Sequence, residues 1–469
     1  MNTEVLVPFW LVVLLALLSV ALLIDRLLIP SVRWFFRRRV NRVIDEVNTR
    51  LDIEIRPFQL TRRQALIDQL VFDERVNEAV QEYAREKDMP RAVAQAEVRR
   101  YAREIVPSFN AVIYFRLGYW LAKRIARLIY RIRVGFYDDD AMSRIDSNAT
   151  VVFVMNHRSN MDYILVALLA AERTALSYAV GEWARIWPLT MLVKAMGAFF
   201  VRRNSGNPLY RRVLERYVHM ATRAGVCQAV FIEGGLSKDG TMRDPRLGFL
   251  DYMLRGYHPK NDRDIVFIPV GINYDRVLED RSQVRRLNSD AGRQSAWFII
   301  KTTLRFAFRN MMLSRRVRWR RFGYACVNFG LPLSAKEYCM SHDMMPSEME
   351  QEPRFVEVKK LANILMDRIR QVIPVLPVSL VAAVILEEAE AQKTRLLWMG
   401  KALERIEHFR NQGAPINISP TACERVLEGA MDILLGRGLL QQRDGLISVR
   451  PGSRDMLAYY ANAIQHWQI

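Results

Sequence analysis

The spacing of apolar residues changes character three times along the chain. From Val5 to Ile24 (VLVPFWLVVLLALLSVALLI) twenty residues run without a charge, the length a helix needs to cross a hydrocarbon core. The pattern predicts a transmembrane anchor over residues 1–30; a buried core helix is the alternative. Glu4 precedes the run and Asp25-Arg26 follow it, which lacks the basic start and small-residue cleavage site of a signal peptide. Arg26, Arg33, Arg37, Arg38, Arg39 and Arg42 come next, interleaved with Trp34, Phe35 and Phe36. The positive-inside rule puts this flank and the rest of the chain on the cytoplasmic side of a membrane, and the mixture suits a segment lying on anionic lipid. Residues 31–135 read as an amphipathic helical region, with Pro90 marking one helix start. Within it, Phe109 to Val134 mixes apolar residues with Arg116, Lys123, Arg124, Arg127, Arg131 and Arg133. Such a helix fits the core or the membrane equally well.

From about residue 136 the apolar runs become short and β-rich. Thr150–Met155, Ala175–Val180, Ala198–Val201, Gln228–Ile232, Ile265–Ile272 and Tyr324–Phe329 read as strands, with Met161–Glu172 and Leu209–Ala224 as helices between them. Alternating strands and helices predict an α/β domain over residues 136–335, a largely parallel sheet flanked by helices. The ligand crevice of such a sheet lies beyond the carboxyl ends of its strands. Residues 336–469 read as a mostly helical C-terminal domain, in which Leu439–Val449 has the character of a small wing. No internal repeat is visible.

Composition narrows the class. Of 469 residues, 51% are hydrophobic and 25% charged, which excludes a disordered chain. Cys227, Cys326, Cys339 and Cys423 form no CxxC pair, so neither a disulfide framework nor a cysteine metal site is expected. The histidines lack metal-ligand spacing such as HExxH, and no metal or other cofactor is predicted. The net charge of +19 calls for an anionic partner: nucleic acid, a phosphate-bearing substrate or an anionic bilayer.

Polar residues cluster after four of the strands. Asn156-His157-Arg158-Ser159-Asn160-Met161-Asp162 follows the first. His157 and Asp162 would lie about 140° apart on a regular helix, so they meet only if His157 sits in the loop and Asp162 reaches back. A carboxylate there would hold the imidazole tautomer; the plainer reading is a helix start capped by Ser159. In Gly197-Ala198-Phe199-Phe200-Val201-Arg202-Arg203 a strand ends in two guanidinium groups, forks that match phosphate oxygens. In Phe231-Ile232-Glu233-Gly234-Gly235-Leu236-Ser237-Lys238 a strand runs into glycines where backbone can approach a ligand. Ile268-Pro269-Val270-Gly271-Ile272-Asn273-Tyr274 ends a further strand. Cys227, at the start of an apolar strand, reads as a buried thiol rather than a nucleophile.

In this order the four blocks resemble the motifs of the glycerolipid acyltransferase superfamily, and most nearly its glycerol-3-phosphate acyltransferase branch. The match lies in HRS-x-x-D, GAFFVRR and FIEGG-x-S, extended by Leu209-Tyr210-Arg211, Val327-Asn328-Phe329-Gly330 and Tyr459-Tyr460-Ala461-Asn462. It is strong over residues 145–335 and says little about residues 1–100. The branch carries an arginine where this chain has Leu236, so that arginine's phosphate-binding role is not carried over. The resemblance implies transfer of a fatty acyl group from an acyl thioester, acyl-CoA or acyl-carrier protein, to a hydroxyl of glycerol-3-phosphate. His157 would be the general base and Asp162 its orienting partner. Arg202, Arg203 and Lys238 would grip the acceptor phosphate; Glu233 and Ser237 would position its hydroxyls. Ser159, Gly234 and Gly235 complete the expected substrate-binding set, with Arg158 facing either solvent or coenzyme phosphates. Glu233 could instead pair with an arginine, and Pro269 would shape the acyl-donor wall.

Lysophosphatidate and dihydroxyacetone phosphate remain as alternative acceptors. A reading from another class, a membrane-tethered nucleic-acid-binding protein, draws on the charge and the C-terminal wing, yet no basic recognition helix accompanies it. The basic stretch Arg315–Arg321 suits anionic lipid, donor phosphates or a solvated face alike.

Overall fold

Helices occupy the first part of the described chain. The computed structural model describes residues 56–135, 138–170, 174–181, 189–202, 205–288, 321–416, 418 and 420–467. The span expected over Val5–Ile24, its basic flank, Arg203 and residues 315–320 of the basic stretch lie outside these residues. Among the described residues no helix is long and apolar enough to cross a membrane. Helix α1 is Arg63–Val71, α2 Glu74–Glu86 and α3 Arg91–Ile105. Asp73 caps α2 by accepting from Val76 N, and Val76, Val80 and Ala84 recur every fourth residue on its buried face, as an amphipathic helix requires. Pro90 stands at the N-cap of α3.

A π-helical turn, Ile113–Gly118, leads into α4, Tyr119–Ile129. Tyr114, Gly118, Ala122 and Ala126 are buried along one side, while Arg116, Leu117, Trp120, Arg124 and Arg127 are exposed along the other. The helix stops at Ile129, short of the expected Val134. Arg131–Val134 is instead strand β1, paired with β7, Tyr324–Phe329. The four residues alternate cation and β-branched apolar residue, the period of a strand, and they lie at the end of the sheet, where charged side chains are typical.

The remaining strands are β2 (Thr150–Met155), β3 (Ser177–Val180), β4 (Phe199–Phe200), β5 (Gln228–Phe231), β6 (Ile265–Tyr274) and β8 (Leu333–Ser334). The order is β1-β7-β6-β2-β5-β3-β4, with β8 also pairing β6. From β6 to β4 all pairings are parallel, whereas β7 and β8 run antiparallel to β6, and β1 follows β7. The expected largely parallel sheet is thus a mixed one with a reversed margin. Every residue of β2 and β6 is buried, as in sheets covered on both faces. Pro269 sits inside β6, where a missing N–H must face no partner. Its carbonyl accepts from Gly330 N at 2.7 Å, on the side where β6 changes partner between β7 and β8.

Between the strands lie α5 (Met161–Ala170), α6 (Leu189–Ala195), α7 (Pro208–Arg223), α8 (Gly248–Leu254) and α9 (Asp280–Asn288). Helix α4 packs on α5, and α7 on α2, α3 and α8. One hydrophobic core runs from Leu66 and Val76 through Val152, Val230 and Phe267 to Leu361 and Ile369, so the N-terminal helices and the sheet share it. Residues Ile55–Ile469 form one compact unit.

Beyond β8 come α10 (Ala335–Ser341), α11 (Gln351–Val372), α12 (Pro377–Glu387), α13 (Arg395–Asn411), α14 (Cys423–Gly436) and α15 (Arg454–Ala461). The expected wing is present. Strands β9 (Lys393–Thr394), β10 (Leu440–Arg443) and β11 (Leu446–Val449) form an antiparallel sheet in the order β10-β11-β9. Asp444 and Gly445 both take positive φ, the turn geometry that matches the twist of a hairpin.

Helix α11 closes against the sheet at Gly271 of β6, where a Cβ would meet the Val372 carbonyl oxygen at 2.4 Å. Gly271→Ala is expected to push the end of α11 off the sheet and cost about 1–3 kcal/mol, read as a lower denaturant midpoint.

Candidate active site

Strands β2, β5 and β6 are neighbours and parallel, so the loops at their carboxyl ends meet. At the end of β2 the Asn156 side chain extends the ladder: Nδ2 donates to Ile272 O at 2.9 Å and Oδ1 accepts from Ile272 N at 2.8 Å. His157–Asn160 then form a loop ahead of α5, and Asp162 in its first turn reaches back. Asp162 Oδ2 accepts from His157 Nδ1 at 2.9 Å, Arg158 N at 2.7 Å and Ser159 N at 3.0 Å; Oδ1 accepts from Tyr274 OH at 2.5 Å. The pair that regular helix spacing would keep apart is brought together by this turned-back loop.

With Nδ1–H donating to Asp162, Nε2 carries the lone pair. Nε2 is buried without a hydrogen-bond partner among the described residues. Leaving a buried acceptor unpaired costs about 1–3 kcal/mol, and an incoming hydroxyl would satisfy it. The imidazole stacks on Phe231 with centroids 4.0 Å apart and meets Tyr163 edge-on at 5.4 Å. Tyr163 in turn contacts Phe231 and Tyr178, which extends an aromatic wall beside the ring.

Several residues expected to touch substrate are turned inward instead. Glu233 is 2% exposed and accepts from His157 N and Arg243 N, both at 2.8 Å. It anchors the backbone of the His157 loop, and among the described residues no arginine side chain forms an ion pair with it. Ser237 N donates to His157 O at 3.0 Å, and its Oγ accepts from Gly240 N at 2.9 Å. Ser159 Oγ donates to Glu279 Oε2 at 2.7 Å and accepts from Met161 N at 3.1 Å, a capping contact at the start of α5. Arg158 faces neither solvent nor an open cleft: it is 3% exposed, donates to Gly240 O and Tyr459 O, and lies 4.8 Å over the Tyr459 ring.

Arg202 corrects the expected phosphate grip. Its Nε and Nη2 donate to Glu104 Oε1 and Oε2 at 2.9 and 2.6 Å, between the rings of Tyr101 and Tyr210. A carboxylate of α3 already fills the fork a phosphate would need, and this bond pushes the guanidinium pKa up. Arg203 lies outside the described residues. Lys238 is exposed on the turn after Glu233. Gly234 takes φ +65°, which makes the turn possible, and Gly235 is buried beside it. Pro269 lies inside the sheet, within β6. Cys227 is a buried thiol, its pKa pushed up to about 12 by burial, and it stands at the opposite end of the strands from His157. Among the described residues no group of His, Cys, Asp or Glu is placed to hold a metal.

Sequence reasoning missed Tyr274, Glu279, Arg243 and Arg246. Tyr274 ends β6 level with Asp162, and its place after a strand was the available signal. Glu279 accepts from Ser159 Oγ and from both the backbone and the side-chain nitrogen of Asn160. Arg243 and Arg246 are exposed, on a segment tied to Glu233 and to Ile232 O.

Burial raises the Glu233 carboxyl to about 7, against the bonds from Arg243 N and His157 N, which lower it. A raised folded-state pKa gives stability that is fully present below the ordinary carboxyl range, near 4.5, and is lost as pH rises through about 7. Glu233→Gln faces one of the two N–H donors with an NH2 group, so a loss of about 1–3 kcal/mol is expected. That disadvantage should shrink between pH 4.5 and 7; denaturant unfolding of both proteins at the two ends of the window checks the sign.

Known proteins share sequence with this chain. Residues 136–273 match the acyltransferase family, and residues 308–469 match the glycerol-3-phosphate acyltransferase C-terminal region. Glycerol-3-phosphate acyltransferase of Alteromonas mediterranea is 26% identical over 87% of this chain and 50% of its own length. The enzymes of that name from Pseudomonas entomophila and Xanthomonas axonopodis are 27% and 24% identical, over 87% and 92% of this chain and 49% and 48% of their own. The chain spans about half the length of these relatives. With a match to an acyltransferase domain followed by a match to that C-terminal region, it is similar to the glycerol-3-phosphate acyltransferase branch of the acyltransferase superfamily.

Proposed function

We propose that this chain transfers a fatty acyl group from an acyl thioester, acyl-CoA or acyl-carrier protein, to a hydroxyl of glycerol-3-phosphate. The observation that carries the reading is the His157 imidazole, held by Asp162 through Nδ1 with Nε2 left to accept. An alcohol is too weak a nucleophile at neutral pH, so Nε2 takes its proton as oxygen attacks the thioester carbonyl. The carbon–sulfur bond of the resulting intermediate breaks, and the imidazolium returns the proton to the departing thiolate. Asp162 stabilises the imidazolium between the two transfers. No acyl-enzyme is needed, because the thioester is already activated. The choice of acceptor is supported by the relatives that bear the name. With Arg202 engaged by Glu104, the acceptor phosphate falls to Lys238, Arg243 and Arg246, the exposed cations around the Gly234 turn.

An anionic bilayer is the partner we infer for the α4 face. Leu117 and Trp120 are 50% and 55% exposed, beside Arg116, Arg124 and Arg127, and the Arg124 guanidinium lies over the Trp120 ring. Aromatic and basic residues in such a row suit the headgroup boundary. Because α4 packs on α5, the helix of Asp162, a bilayer there would bring acyl chains beside the catalytic pair. The membrane anchor with a cytoplasmic catalytic domain remains part of this proposal. A nucleic-acid partner fits poorly: the exposed residues of α14 next to the wing include Glu424, Glu428 and Asp432 against Arg425, which phosphates would repel.

Detergent-solubilised protein should be assayed with glycerol-3-phosphate, lysophosphatidate and dihydroxyacetone phosphate in parallel, each with CoA and carrier-protein donors. Glycerol-3-phosphate is expected to give the highest kcat/KM; a higher value for either alternative would reassign the acceptor. His157→Ala should lower acyl transfer by about 10²–10⁴-fold with the circular dichroism unchanged. Appreciable activity in that variant would end the assignment. For the membrane face, the described native cysteines are all buried, so a spin label on Trp120→Cys reports that position selectively. In phosphatidylglycerol vesicles the label should collide with oxygen more than with a water-soluble nickel chelate, and the reverse preference would put α4 in water.

A further inference from the structure

We infer that the C-terminal segment Tyr459–Asn462 positions the His157 loop for catalysis, acting through Arg158; the proposal deepens the acyl-transfer reading and rests on it. Arg158 follows His157 directly in the chain, yet its buried guanidinium is held some three hundred residues away. It donates to Gly240 O and to Tyr459 O and stacks on the Tyr459 ring, while Tyr459 OH donates back to Arg158 O at 3.5 Å. Gly240 N donates to Ser237 Oγ, and Ser237 N to His157 O. Asn462 Nδ2 donates to Asp239 O at 2.9 Å. The circuit therefore runs from the C-terminal segment through the 237–240 turn to the carbonyl of the catalytic histidine itself.

The contact leaves no slack. Gly240 has φ +93°, and a Cβ there would meet the Tyr459 carbonyl oxygen at 2.0 Å, so the turn lies backbone against backbone on the C-terminal segment.

Tyr460 grips the other flank. Its hydroxyl donates to Asp280, receives from Arg437 Nη1 at 2.7 Å and from Val277 N at 3.2 Å, and Arg437 also pairs with Asp280. Asp280 is the neighbour of Glu279, which holds Ser159 and Asn160. Adjacent tyrosines thus fix the two loops between which the His157 loop is suspended. Among the described residues, the groups that the Arg158 guanidinium bonds or stacks on, Gly240 O, Tyr459 O and the Tyr459 ring, all belong to this clamp, which makes it a positioning residue.

Arg158→Ala, Arg158→Lys, Tyr459→Ala and Asn462→Ala are compared with the unaltered full chain. Arg158→Ala and Tyr459→Ala should lower kcat by about 10²-fold, the scale of a misplacement of roughly 1 Å, with acceptor and donor KM held within about twofold. Methylguanidinium should restore part of the kcat of Arg158→Ala. Arg158→Lys, which keeps the charge without the planar fork, should fall between. Hydrogen exchange supplies a readout independent of turnover: amides of 157–160 and 237–240 should exchange faster in all four variants while β2 and β6 stay protected. A raised acceptor KM at unchanged kcat would assign Arg158 to the substrate instead, and unchanged exchange in the loop would overturn the clamp. Faster exchange in a chain that acylates none of the acceptors would keep the clamp and remove the acyl-transfer reading. Should Arg158→Ala or Tyr459→Ala fail to fold, Arg158→Lys and Asn462→Ala decide by the same two measurements.

Discussion

A carboxylate sealed from water must find its donors in the protein, and Asp162, fully buried, finds four. Burying such a charge without partners would be prohibitive. The donors come from three places: the imidazole, two successive loop amides and the hydroxyl at the end of β6. Satisfying one side chain therefore fixes the path of the loop, the start of α5 and the meeting of β2 with β6. The same bonds select the tautomer of His157, so electrostatic necessity and chemical readiness have one source.

Around this centre the polar residues of the motifs act chiefly on one another. Glu233 holds the amide of His157, Ser237 its carbonyl, Asp162 the next two amides, and Glu279 the side chains of Ser159 and Asn160. Arg158 ties the loop to the C-terminal segment and Arg202 ties β4 to α3. A loop has no ladder to define it, and a general base must be held to a fraction of an ångström. Dense local bonding supplies in the loop what pairing supplies in a strand.

Much of this was legible in the chain. Thr150–Met155 and Tyr324–Phe329 match their strands end for end, because short uncharged runs rich in β-branched or aromatic residues have few other uses. The pairing of His157 with Asp162 could be stated as a condition on the loop, and the loop meets it. What was hidden depends on separation. The Glu104 carboxylate that claims Arg202 lies 98 residues away, and the Tyr459 carbonyl facing Arg158 lies 301 away. Periodicity carries no trace of such pairs. Strand β1 was hidden for another reason: its cations continue the helical spacing of α4, and four alternating residues are too few to outvote it. Tyr274 stands in the block that ends β6 but has no assigned role there, since a hydroxyl aimed at a carboxylate looks the same in sequence as one aimed at solvent.

Pro269 has an effect on folding as well as on shape. Lacking a donor, it fits only the one level of β6 at which no acceptor waits, between the ends of β7 and β8. A strand that slid by one position would put the ring opposite a carbonyl that needs a proton, and would turn Tyr274 to the wrong face of the sheet. The imino acid thus acts as a key against misalignment: the chain is rewarded for the single threading that also delivers a hydroxyl to Asp162.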